Sequence, residues 1–77
     1  MNNKVTLDML PSGRRAKIVS IVGGRGLTYR LYQMGFTPGA IVEVVSNYGY
    51  GPIIVRVMGV ETAIGRGVAR KILVEPL

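Results

Sequence analysis

The stretch Gly26–Gly39, GLTYRLYQMGFTPG, constrains the chain more than any other. It reads as a short amphipathic helix, a hard stop, and a turn that launches a strand. Leu27, Leu31 and Met34 fall at i, i+4 and i+7, so they share one face, and that stripe is expected to turn to the core. Arg30 and Gln33 lie off it. The helix is expected over about Leu27–Met34, and Gly35 stops it, because only glycine takes the left-handed C′ conformation without a Cβ clash. With Gly35 at C′, Phe36 is C″ and Leu31 is C3, the apolar pair that closes a Schellman motif. Pro38-Gly39 then suits the two central positions of a type II turn. From Ile41 onward the residues are β-branched and strand-like.

At 77 residues the chain reads as one small domain, 1–77. The apolar fraction of 48% suffices for a core, whereas the charged fraction of 18% is low and leaves apolar surface for a partner. There is no Cys and no His, which removes disulfides, thiol chemistry, thiolate or imidazole metal sites and His-based acid–base catalysis. The only side-chain carboxylates, Asp8, Glu43, Glu61 and Glu75, are scattered, and nothing in their spacing suggests a hard-metal site. The expectation is a soluble cytoplasmic protein that is not an enzyme, with no cofactor, no metal site and no small-molecule substrate. No signal-peptide pattern or membrane-length apolar run is present. The net charge of +6 points to an acidic partner, an anionic membrane face or nucleic acid.

Taken in order, residues 1–4 are a polar, frayed start. Thr6 is placed to N-cap a single turn, Leu7–Leu10, whose two leucines would lid one end of a barrel. Pro11-Ser12-Gly13 is a turn. Arg14–Val22 is the first strand, with Ala16 and Ile18 on one face and a bulge near Ser20. Gly23-Gly24-Arg25-Gly26 leads into the helix. It lacks the spacing of a phosphate-binding loop and reads as flexible backbone. On the helix, Tyr29, Arg30 and Tyr32 are the exposed set, a hot-spot composition that equally suits an ordinary wet face.

Ile41–Asn47 is the second strand. Tyr48–Pro52 is a loop whose rings are expected to fold back over the barrel, with base stacking or protein contact as the alternatives. Ile53–Met58 is the third strand, Gly59 a tight turn, Val60–Gly65 the fourth strand, Gly67–Arg70 a one-turn corner and Lys71–Glu75 the closing strand. Five short strands with one helix after the first suggest a mainly β fold, a small partly open barrel closed by pairing the last strand with the first. That closure would bring Arg14, Arg15 and Lys17 beside Arg66, Arg70 and Lys71 as one basic patch.

The pattern Leu7…Leu10-x-x-Gly13…Ala16-x-Ile18…Arg30-Leu31-x-x-Met34-Gly35-Phe36-x-Pro38-Gly39, continued by Gly51-Pro52, Val55-x-Val57-x-Gly59 and Ala69-x-x-Ile72-x-Val74, resembles the FeoA family of small cytosolic proteins of bacterial ferrous iron transport. The same fold occurs as the C-terminal domain of iron-dependent repressors. The resemblance implies an SH3-like barrel acting as an adaptor of the membrane permease FeoB, whose cytoplasmic GTPase domain accompanies iron passage. Met1 directly before the domain speaks for the free-standing version over the repressor version. The most distinctive stretch supplies the candidate contact residues: Leu27, Arg30, Leu31, Met34, Gly35 and Phe36. Capping and turn geometry alone also explain Gly35 and Gly39. Two other function classes stand beside the adaptor. One is a basic nucleic-acid-binding barrel using Tyr48 and Tyr50, a poor fit for so few aromatics. The other is a GTPase activator inserting Arg25.

Overall fold

Residues 3–77 are described in the structure, a computed structural model of the chain. The apolar alternation becomes strands β1 (Val5–Thr6), β2 (Arg15–Ile21), β3 (Ile41–Ser46), β4 (Ile53–Val57), β5 (Val60–Ile64) and β6 (Ile72–Pro76). A 3₁₀ turn spans Leu7–Met9, and helices α1 and α2 span Arg25–Gln33 and Arg66–Ala69. Of the expected polar start, Met1 and Asn2 lie outside the described residues.

The strands form one open antiparallel sheet in the order β1-β6-β2-β3-β4-β5. The expected pairing of the last strand with the first long one is present as β2–β6. The expected five strands are six. The additional one is β1, where Val5 pairs with Val74 and Thr6 with Leu73. Two residues are too few to show a period.

Alternation decides which side chains are buried. Ala16 and Ile18, Val42 and Val44, Ile53, Val55 and Val57, and Ile72 and Val74 all turn inward. Leu7 and Leu10 are buried as a lid over this core. The register of β2 against β6 shifts between Ile18 and Ser20, the bulge expected near Ser20. A second shift, between Val44 and Ser46 on β3, is visible only in the structure. Thr6 does not cap the 3₁₀ turn. Its hydroxyl donates instead to the Asp8 carboxylate, which sits in that first turn.

Asn47 holds one end of the sheet together, although its letter reads only as the last residue of a strand. Its Nδ2 donates to the carbonyls of Asp8 (3.0 Å) and Leu10 (2.7 Å). Its Oδ1 accepts from Gly49 N–H (3.0 Å) and Arg66 Nη2 (2.9 Å), and its backbone N–H donates to Ser12 Oγ (2.8 Å). One side chain thus ties the 3₁₀ turn, the end of β3 and α2. Asn47→Ala removes the four side-chain bonds. Several of them border solvent, so the expected loss is about 1–2 kcal/mol, read as a lower midpoint in urea unfolding with an unchanged slope.

Candidate partner-binding surface

The helix stop is built as its letters require. Gly35 has φ +97°, Phe36 N–H donates to Leu31 C=O (2.9 Å) and Gly35 N–H to Tyr32 C=O (3.0 Å). These are the two bonds of a Schellman motif. Gly39 has φ +92° and Ala40 N–H donates to Thr37 C=O (2.9 Å), which closes the Pro38-Gly39 turn. Gly39 N–H then donates to Ile18 C=O and Ile18 N–H to Ala40 C=O (both 2.8 Å), so the helix exit is fastened to β2. The helix starts earlier than its apolar stripe indicates. Gly24 is the N-cap, and Arg25 stands exposed in the first helical turn and not in the glycine loop.

The six candidate contact residues divide into two groups. Leu31 and Phe36 are buried in the core, Leu31 with its outer edge lining a groove beside α1. Leu27 is half-buried against the core and Gly35 is half-buried. Arg30 is exposed, and so is Met34, at 43%. The stripe was expected to bury Met34. It does not, because Met34 is the C-cap, where the chain leaves the helix over the β4–β5 hairpin.

That hairpin holds the feature the sequence concealed. Met58 and Gly59 link β4 to β5 with φ +54° and +78°. Both central residues are left-handed, as a two-residue type I′ turn demands. Met58 was expected to end the third strand, facing outward. It occupies instead a conformation that glycine or asparagine favours, and its side chain is 81% exposed. Hydrophobic burial therefore cannot explain the choice of methionine at a strained position.

Met58 faces the helix exit. A groove of about 520 Å³ is lined by Tyr32, Met34, Gly35, Met58, Val60 and Thr62, among others. A second, of about 190 Å³, runs between Leu27, Arg30, Leu31 and Met34 of α1 and Ala63, Ile64 and Val68 across from them. Met34 borders both. Methionine is flexible and polarizable, and it suits surfaces that adapt to a partner. Tyr32 (41% exposed) and Val60 (64%) extend the apolar rim.

The register separates the expected basic patch. Lys17 pairs with Glu75 on β6, and Arg15 C=O accepts from Leu77 N–H, at the C-terminal end of that strand. Lys71 lies at the other end, its C=O accepting from Val22 N–H. Five residues of strand, about 17 Å, separate the two ends. Arg66 is drawn to Asn47 and Arg70 to Asp8 (3.7 Å). Antiparallel pairing thus holds Lys71 away from Arg15 and Lys17, whereas Arg66, through Asn47, lies beside Ser12 on the turn that leads into Arg14.

Every side-chain carboxylate is ion-paired. Asp8 meets Arg70, Glu75 meets Lys17 (3.8 Å), and Glu43 (3.0 Å) and Glu61 both meet Arg56. Glu61, then Glu43, raises the Arg56 pKa further, so this arginine stays charged. Lys4, Arg14, Arg15, Arg25, Arg30, Arg66 and Lys71 have no side-chain carboxylate partner among the described residues, although Arg14 Nε donates to Leu77 O (3.3 Å), and the surface is left cationic. Tyr48 and Tyr50 do not fold back over the sheet. They stand 74% and 77% exposed. Among the described residues there is no group of three or more acidic, His or Cys side chains placed to hold a metal, and no helix long and apolar enough to cross a membrane.

Comparison with known proteins follows the same features. A family model described as the FeoA domain matches residues 5–76. A protein of Methanocaldococcus jannaschii, provisionally named Fe(2+) transport protein A, is 40% identical over 63 residues, which cover 82% of this chain and 76% of that protein. The crystal structure of an iron uptake regulatory protein, FeoA, is similar with TM-score 0.91 and 39% identity, over 96% of this chain and 99% of that one. A zinc complex of Stenotrophomonas maltophilia FeoA, described as an SH3 domain protein, is similar with TM-score 0.82 and 26% identity, over 92% and 89% of the two chains.

Proposed function

The chain belongs to the FeoA family, and from that premise we propose that it is an accessory protein of ferrous iron transport that binds a FeoB-type permease on its cytoplasmic side. The contact is the surface where α1 ends against the β4–β5 hairpin. One observation carries this assignment: Met58 is held left-handed and exposed, at a cost to the fold of about 1–2 kcal/mol. Selection for stability alone would place asparagine or glycine there. The methionine is better accounted for by what it touches outside the chain, and Met34, Tyr32 and Val60 give it an apolar neighbourhood. The protein works by binding and carries no iron of its own. It has neither Cys nor His, and ferrous iron is the cargo of the transporter.

The test is affinity for the detergent-solubilised permease, measured with two variants of unchanged fold. Met58→Asn relieves the turn, so it is expected to stabilise the protein by about 0.5–1 kcal/mol and still weaken binding. Met34→Glu places a charge between the two grooves and is expected to abolish binding with little change in melting. Undiminished binding by both variants would remove this surface from the interaction.

A second reading, a nucleic-acid-binding barrel, is favoured by the two tyrosines exposed beside glycines on a cationic protein. Retention of single-stranded RNA, lost steeply with salt, in place of permease would establish it.

A further inference from the structure

β5 lies at the end of the sheet and pairs only with β4. Its outer edge, Val60–Ile64, is open. The hairpin geometry decides which groups face outward. Val57 and Val60 flank the two-residue loop and form the hydrogen-bonded pair that closes it. The pairs then alternate. Glu61 opposite Arg56 and Ala63 opposite Ile54 are the non-hydrogen-bonded pairs of the hairpin. Their N–H and C=O groups point away from β4, and no group among the described residues bonds to them. Two donors and two acceptors thus stand in line at strand spacing.

Edges of this kind are commonly blunted by lysine, proline or a covering helix. The strand reads VETAI, with neither lysine nor proline, and α1 stands across a groove from Ala63 and Ile64. Glu61 is its one charge, and that charge is taken up by Arg56. Beside the edge lie both grooves, with Val60 and Thr62 on the first and Ala63 and Ile64 on the second.

We propose that the open edge of β5 receives an extended acidic segment of the partner by strand addition. Backbone bonds form to Glu61 and Ala63, and alternate apolar side chains seat in the two grooves. Charge complementarity selects this occupant. Arg30 lines the second groove, is exposed and has no carboxylate partner, and the chain's own carboxylates are all engaged. Carboxylates on the incoming segment meet that arginine. A second copy of this chain would instead bring another +6 to the same edge. The inference rests on the permease-binding assignment and specifies how the backbone takes part.

Ala63→Pro tests it with a single atom group. The Ala63 N–H points out of the sheet, so proline deletes the donor without breaking the β4 ladder. Ala63→Ser keeps the donor and serves as control. Permease affinity is expected to fall at least about tenfold for Ala63→Pro and to stay within about twofold for Ala63→Ser. In the wild-type complex, amide hydrogen exchange at Glu61 and Ala63 is expected to slow at least about tenfold. That second measurement decides the matter even if the proline variant folds poorly. Unchanged exchange at both amides, with binding still abolished by Met34→Glu, would overturn strand addition and leave the groove contact standing. A wild-type protein that binds no permease would overturn both. Concentration-dependent slowing of these amides in the isolated protein would overturn the acidic segment and assign the edge to a second copy.

Discussion

Phe36→Ala is expected to cost about 3–5 kcal/mol and to leave the protein barely folded or unfolded at 37 °C. Phe36 is the largest fully buried side chain, and every tyrosine described lies outside the core. The cavity therefore opens among Val, Leu and Ile side chains already committed to their strands, and no second ring can move to fill it. A domain of this size holds a net stability of only a few kcal/mol more than the loss. Each kcal/mol moves the midpoint by about 4–8 °C in a chain this short, so thermal unfolding by circular dichroism should show a fall of at least about 12 °C. A fall under about 5 °C would show that the ring is not central to the core. It would also reopen Phe36 as a residue that leaves the core to meet a partner.

Gly35→Ala should be the second most damaging change, at about 2–3 kcal/mol, and two separable causes add. The first is backbone: φ is +97°, where a Cβ costs about 1–2 kcal/mol. The second is contact: a Cβ there comes within 3.1 Å of both Val57 Cγ1 and Met58 Sδ. Val57 is buried and β-branched, so it has little freedom to move. Met58 can move, but its displacement reshapes the larger groove. Gly39→Ala separates the two causes. Its φ is +92°, yet a Cβ there meets nothing within 4 Å. It should lose only the backbone contribution, about 1–2 kcal/mol. Equal losses at the two glycines, measured by urea unfolding, would show that the packing of Gly35 against the hairpin contributes nothing.

Both results bear on how binding and folding are divided along one motif. Leu31, Gly35 and Phe36 make the stop and the core, and Arg30, Met34 and Met58 face outward. Variants of the first group should lose binding only through loss of fold. Variants of the second should lose binding with little change in melting.

Much of the fold was legible because it is local. A left-handed residue after a helix, a proline followed by glycine, and alternating β-branched residues each act within a few positions. The Schellman stop, the Pro38-Gly39 turn, the shared apolar faces of β2 and β3, the inward face of β4 and the bulge near Ser20 could all be read from letters. The family resemblance, carried by RL-x-x-MGF-x-PG, was legible for the same reason.

What the letters left open depends on residues far apart in the chain. The two-residue strand β1 exists only because β6 is there to pair with it. Arg14 and Lys71 stay at different ends because the register of β2 against β6 is set by a whole strand of side chains. Asn47 is an ordinary letter until four groups converge on it. Met34 and Met58, separated in sequence and individually unremarkable, border one groove only after the sheet has brought the hairpin under the helix exit. Backbone preference belongs to single residues and short windows, so the sequence alone determined the body of the helix, its stop and the five longer strands. Which surfaces meet depends on the cooperative packing of the whole core, and only the tertiary structure decided that.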